Sequence, residues 1–205
     1  MMKILINHCF DWESFHFIDT FLSLSYQVFG LNDKKVKMSE HIAMYFARNS
    51  LFSQKDTILN EKAFDIAIVF DDISLLQQIS AKKKFLITDD HVEAIFPITI
   101  IQKPLLYGEW MEMDEEGLYI RDEYILFSDQ TFQNNAIYIR TFVQLIISMF
   151  VQNKLPDKLQ IYPYRSTKRS KSGVFLLEKE DQTSILAQVV RHYKKHRSIL
   201  KNDLH

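Results

Sequence analysis

The stretches KILIN (3–7), FDIAIVF (64–70), KFLIT (84–88) and ITIIQ (98–102) are nearly continuous apolar runs. A strand with one face in water alternates apolar and polar residues, whereas a strand that reads apolar throughout is covered on both faces. Segments of helical spacing lie between these runs. In FHFIDTFLSL the residues Phe17, Phe21 and Leu24 recur on one face, with Asp11 or Ser14 available as the cap. Ser39 is a suitable N-cap for EHIAMYFARNSLF, which carries Ile42, Tyr45, Phe46 and Phe52 on or near one face. SYQVFGL forms a short strand ending at Gly30, and ISLLQQIS a short helix. This order predicts an α/β fold over residues 1–104, with a mostly parallel sheet flanked by helices.

The pattern changes after Pro104. EWMEMDEEGLYIRDEYILF (109–127) alternates around a D-E-E-G turn and predicts an added β-hairpin. Residues 129–153 predict one long core helix, with Phe132, Ile139, Phe142, Val143, Ile146, Ile147 and Phe150 on its apolar face. KLPDK (154–158) is the candidate linker. LQIYPYRSTKRSKSGVFLLEKE predicts two strands joined by a basic turn. A last helix from Asp181 to Lys201 places Ile185, Val189, Tyr193 and Leu200 on one face.

The net charge of −1 conceals a segregation. Residues 1–153 hold 13 Lys and Arg against 21 Asp and Glu; residues 154–205 hold 12 against 5. The expected organisation is an acidic α/β body over 1–153, and a basic hairpin-plus-helix element over 154–205 packed on the same domain. Hydrophobic residues at 47% and charged residues at 25% are ordinary for a globular chain. Cys9 is the single cysteine, so an internal disulfide is excluded and a reducing compartment fits. The N-terminus lacks a signal-peptide core. The most apolar helical stretch, FVQLIISMFV, is about half a membrane span and is interrupted by Gln144. The expectation is a cytoplasmic protein with no membrane span.

There are four glycines: Gly30, Gly108, Gly117 and Gly173. Neither GxGxxG nor GxxxxGK[ST] occurs. The turn after the first strand, Asn7-His8-Cys9-Phe10-Asp11, has no glycine to let backbone approach a pyrophosphate. No nucleotide cofactor is therefore expected.

Two of the apolar runs end on paired acids, Asp71-Asp72 and Asp89-Asp90. Binding groups gather at the carboxyl ends of parallel strands. If the two strands are neighbours, the four carboxylates form a cluster of hard oxygen ligands suited to Mg²⁺. The competing reading is capping: Asp72 would cap ISLLQQIS, and Asp89 or Asp90 the segment after it. LITDD with Asp72 and Asp90 loosely resembles the late acidic positions of PIN-type nucleases over some twenty residues. That family carries an Asp at the end of its first strand, where this chain has Asn7.

Cys9 lies beside His8, with His16 further on, but Asp11 and Glu13 oppose a thiolate there. His192 and His196 stand four residues apart on a predicted helix, a spacing that can share Zn²⁺, yet Lys194 and Lys195 lie between them. The basic turn carries Arg165, Lys168, Arg169 and Lys171, and the last helix adds Arg191, Lys194, Lys195 and Arg197. Together they would make a footprint for a nucleic-acid backbone or an acidic protein partner. The leading expectation is a non-catalytic binding or assembly module that engages an anionic or protein partner through this basic element, without a cofactor. The alternative is a Mg²⁺-dependent phosphodiesterase or nuclease using the Asp cluster. A third reading is a degenerate sugar-nucleotide-binding α/β domain, against which the missing glycines count.

Overall fold

The computed structural model describes residues 1–32, 39–57, 63–93, 96–121, 123–152, 154–166, 173–178 and 180–201. The elements in chain order are β1 (Lys3–Ile6), α1 (Trp12–Ser23), β2 (Gln27–Leu31), α2 (Ser39–Phe46), β3 (Phe52–Lys55), β4 (Phe64–Phe70), α3 (Ile73–Gln78), β5 (Ala81–Thr88) and β6 (Thr99–Gln102). Then follow β7 (Leu105–Tyr107), β8 (Gly117–Ile120), β9 (Glu123–Leu126), α4 (Gln130–Asn135), β10 (Ala136–Tyr138), α5 (Ile139–Met149), β11 (Lys158–Pro163), β12 (Gly173–Leu176) and α6 (Gln182–Lys201). The central sheet has eight strands in the order β12-β11-β6-β5-β4-β1-β2-β3. The chain divides into two compact units, one of Met1–Gln102 with Leu145–Leu159 and one of Lys103–Gln144 with Gln160–His205.

In the first unit β1 pairs parallel with β2 and β4, β2 with β3, and β5 with β4 and β6. The apolar runs behave as their composition requires, because both faces of these strands are covered. On one face Phe17 of α1 meets Phe70 with ring centroids 5.8 Å apart, while Phe150 packs on Phe21 and on Phe85 at 5.7 Å. On the other face Leu5, Phe29, Ala67, Val69, Leu86 and Ile100 form a buried cluster with Leu76 and Ile79. Each buried Leu, Val, Ile or Phe among them contributes roughly 1.5–3 kcal/mol on burial. Two of the three lysines of β5 are accommodated by helix ends, while Lys82 pairs with Asp65: Lys83 Nζ donates to the carbonyls of Phe150 and Gln152 after α5. Lys84 Nζ donates to the Leu76 carbonyl of α3 at 3.1 Å, and burial lowers its pKa. The link from β5 to β6 (residues 89–98) is shorter than the dozen or so residues usual for a parallel crossover, and no helix lies among its described residues.

In the second unit β7 pairs parallel with β10, and β8 and β9 form a hairpin. Ile185, Val189 and Tyr193 of α6 are buried, as their spacing predicts. Three local expectations change. D-E-E-G does reverse the chain, with Met113 bridged antiparallel to Leu118 and the Asp114 N–H donating to the Gly117 carbonyl, but the longer strand pair β8–β9 reverses after Ile120. The long helix is broken at Ala136-Ile137-Tyr138, which pair in register with Leu105-Leu106-Tyr107. The two strands of the basic element are parallel, not a hairpin, with Ile161 opposite Val174. β3 was not expected from the sequence. Among the described residues no helix is long and apolar enough to cross a membrane.

Candidate functional site

The strand order reverses at β1, which lies between β2 and β4. In an open parallel sheet the crevice outside the carboxyl ends at such a reversal is the usual ligand site. Here Asn7 lies wholly buried at the end of β1 and faces Phe70 at the end of β4. Its Nδ2 donates to the Phe70 carbonyl at 3.0 Å, and its Oδ1 accepts from the Phe70 N–H at 2.7 Å. Ser14 Oγ of α1 donates to the Asn7 carbonyl. Cys9 and Phe10 are buried, and the Phe10 ring lies 6.2 Å from that of Phe52. His8 and Asp71, just beyond the two strands, take left-handed backbone conformations with φ of 47° and 58°.

The paired aspartates serve turns. Asp72 caps α3: its Oδ1 accepts from the Leu75 N–H at 2.9 Å and from Ser74 Oγ at 2.5 Å. Burial works to raise its pKa, and these hydrogen bonds outweigh it, leaving the group below the usual carboxylate range. Asp71 is exposed, and its N–H donates to the Ile87 carbonyl. The Asp89 carbonyl accepts from Gln102 Nε2 at 2.7 Å, and the Asp90 N–H donates to Thr88 Oγ1. Among the described residues no three His, Cys, Asp or Glu side chains converge on a metal-sized site. Strand ends were legible, but the convergence of four carboxylates is not found there.

The basic residues do not gather into one described patch. Arg165 turns inward: its guanidinium pairs with Glu178 at 2.8 Å and donates to the carbonyls of Gln133 and Ala136. Lys194 pairs with Glu115 at 2.8 Å. Arg191, Lys195 and Arg197 are exposed on α6, while Lys168, Arg169 and Lys171 lie outside the described residues. His192 and His196 pack on Trp110, with ring centroids 4.5 and 5.0 Å away. Burial, then the neighbouring His196, lowers the His192 pKa.

The second unit carries a cleft of about 770 Å³ beside the start of α6. Its apolar wall includes Phe127, Phe132, Leu176 and Leu186; its polar wall includes Arg165, Glu178, Glu180, Asp181, Gln182 and Thr183. Asp181 accepts from the Ser184 N–H and so caps α6. Glu178 also accepts from the Tyr138 N–H at 2.8 Å, locking this wall to β10. Sequence reasoning missed the cleft because its residues come from three separated segments, 127–134, 164–165 and 176–186.

Parallel strands in the order β3-β2-β1-β4-β5-β6, flanked by helices, define an open α/β fold of the Rossmann-like type. No family model matches the chain, and no curated protein matches it. Solved structures do. It is similar to dTDP-glucose 4,6-dehydratase from Bacillus anthracis str. Ames, determined with NAD, at 9% identity and a TM-score of 0.65, covering 99% of this chain and 100% of that one. It is similar to yeast methylglyoxal/isovaleraldehyde reductase, determined with NADPH, at 9% identity and a TM-score of 0.59, covering 96% and 100%. A UDP-galactose 4-epimerase matches at 8% identity and a TM-score of 0.56, covering 95% and 99%.

At such identities the likeness establishes the fold. It also overturns the expectation of a non-catalytic module engaging an anionic or protein partner through its basic element, along with the nuclease alternative. The fold is the one seen in a dehydratase, a reductase and an epimerase, whereas both expectations assumed a different kind of domain. Charge segregation misled because a charge count does not see which carboxylates the cations meet: Lys194 pairs with Glu115 of the acidic stretch, and Arg165 turns inward onto Glu178. The fold group implies a dinucleotide, but the first βα turn does not fit one. Buried side chains stand where glycines admit a pyrophosphate, and Asp11 and Glu13 place carboxylates at the start of α1.

Proposed function

We propose that this chain acts on a sugar or sugar derivative held in the cleft of the second unit, on the fold it shares with dehydratases, epimerases and reductases. The cleft's lining carries the proposal. Among the described lining residues three carboxylates face one guanidinium, and that guanidinium is already paired. A phosphate would meet net negative charge there. Hydroxyl groups suit it better, because carboxylates only accept, while Gln182 and Thr183 both donate and accept. The wall of Phe127, Phe132, Leu176 and Leu186 suits the apolar face of a ring. Two of the three similar structures are enzymes whose names specify sugar nucleotides.

The test is thermal melting and ligand-observed NMR with UDP-galactose, dTDP-glucose, the free sugars and UDP alone. Compounds bearing the sugar should raise Tm and show sugar-proton contacts, and UDP alone should do neither. Glu180→Gln should weaken the sugar response. Turnover is followed in the same samples by new anomeric-proton signals. Absence of any response to every sugar compound refutes the proposal.

A further inference from the structure

The crevice that serves a cofactor in this fold is filled by the chain's own side chains. We infer that this protein takes no NAD or NADP at its first βα turn, because Asn7, Cys9, Phe10 and Phe52 have made that crevice part of the core. The inference is independent of whether the cleft of the second unit takes a sugar.

Dinucleotide binding at a strand-order reversal needs three things: a turn whose backbone lies open, a helix N-terminus facing the diphosphate, and a gap between the ends of the flanking strands. The turn is not open. Cys9 N–H donates to the Leu31 carbonyl at 3.3 Å, drawing the turn down onto the end of β2. The approach is so close that a Cβ added at Gly30 would stand 2.7 Å from Cys9 Cβ and 2.8 Å from the Phe52 ring. Gly30 is thus the one glycine near this crevice, and it admits protein rather than ligand. Phe10, 4% exposed, continues the filling into an aromatic layer in which Phe46 lies 5.2 Å from Phe52 and 5.3 Å from Phe15.

The other two requirements also fail. The helix start already faces carboxylates of its own, with Asp11 at the N-cap and Glu13 in the first turn of α1. These stand at the end of the helix dipole that a diphosphate would otherwise serve. The gap between β1 and β4 is bridged by the two hydrogen bonds from Asn7 to Phe70. A dinucleotide would have to break that bridge and expel the Phe10 ring.

The experiment titrates the full chain with NADH and NADPH to about 1 mM, following nicotinamide fluorescence and Tm. No change in either is expected, for the natural chain and for an Asp11→Asn/Glu13→Gln variant. Saturable binding to the natural chain overturns the inference. Binding gained by the variant also overturns it, since charge rather than packing would then close the turn. Cys9, the single thiol, reports on the same turn without any ligand. It should react with a thiol reagent only as fast as the first unit unfolds, and rapid labelling of the native chain overturns the packing argument. A dinucleotide bound without a sugar, or a sugar bound without a dinucleotide, separates this inference from the proposed function.

Discussion

Replacing Asn7 by Ala tests how the end of β1 is joined to the end of β4. The β1–β4 ladder reaches Ile6 opposite Ile68. Beyond it, the Asn7 amide takes both backbone groups of Phe70, so one side chain extends the ladder by a residue. Each buried backbone group left without a partner costs about 1–3 kcal/mol. Water entering the space left by the amide recovers some of this, and the expected loss is about 2–4 kcal/mol. That is a large part of the 5–15 kcal/mol typical of a folded domain, and corresponds to a fall in Tm of roughly 4–16 °C at this chain length. The assay is urea unfolding followed by fluorescence in a Trp110→Phe background, which leaves Trp12 of the first unit as the only tryptophan. Asn7→Asp sharpens the test. Its carboxylate would face the Phe70 carbonyl in a buried site, so its folded pKa would rise above the ordinary value near 3.9. The cost is then complete above the raised pKa and disappears as pH falls below about 3.9. An Asn7→Ala variant within about 0.5 kcal/mol of the natural chain would refute the bridging role.

Gly30→Ala should cost about 1–3 kcal/mol by overpacking against Cys9 and Phe52, read in the same unfolding assay. Arg165→Ala should destabilise the second unit by about 3–5 kcal/mol, because it leaves the buried Glu178 carboxylate unpaired; Arg165→Lys should not restore it, since the guanidinium also reaches two carbonyls. Asp72→Ala should cost about 1 kcal/mol at neutral pH through loss of the α3 cap, and this difference should vanish as pH falls through the depressed pKa of Asp72, below 3.8. Tyr107 is fully buried, and its hydroxyl has no hydrogen-bond partner among the described residues; Tyr107→Phe should be neutral or stabilising in thermal melting.

The parts of this fold legible in the sequence are those set by one-dimensional periodicity. Continuous apolar runs announced β1, β4, β5 and β6, and the Ile185-Val189-Tyr193 spacing announced α6. The parts that were not legible depend on partners distant along the chain. Ala136-Ile137-Tyr138 lies within a helical pattern, yet becomes a strand because Leu105-Leu106-Tyr107 pairs with it and Glu178 takes the Tyr138 N–H. Phe52-Ser53-Gln54-Lys55 has little apolar character, but as β3 it lies at the edge of the sheet, where one neighbour suffices. The basic residues were visible as a count. That Arg165 faces inward while Arg191 faces out could only be learned from the fold.

The glycine count carried more than the charge count, for a physical reason. A charge far from any partner and a charge in an internal pair look alike in a sequence. A missing glycine at a turn cannot be replaced by a distant residue, because what it supplies is the absence of a side chain. The turn Asn7–Asp11 therefore had to be filled, and its conformation shows how: His8 takes a positive φ without being glycine, Cys9 bonds to β2, and Asn7 bonds to β4. The same logic explains the Asp71-Asp72 pair at the end of β4. Asp71 holds a left-handed position that short polar residues tolerate, which frees Asp72 to begin α3. A second acid after a strand is thus a device for turning the chain without glycine. In a chain this poor in glycine, side-chain-mediated turns should cluster at the carboxyl ends of the strands.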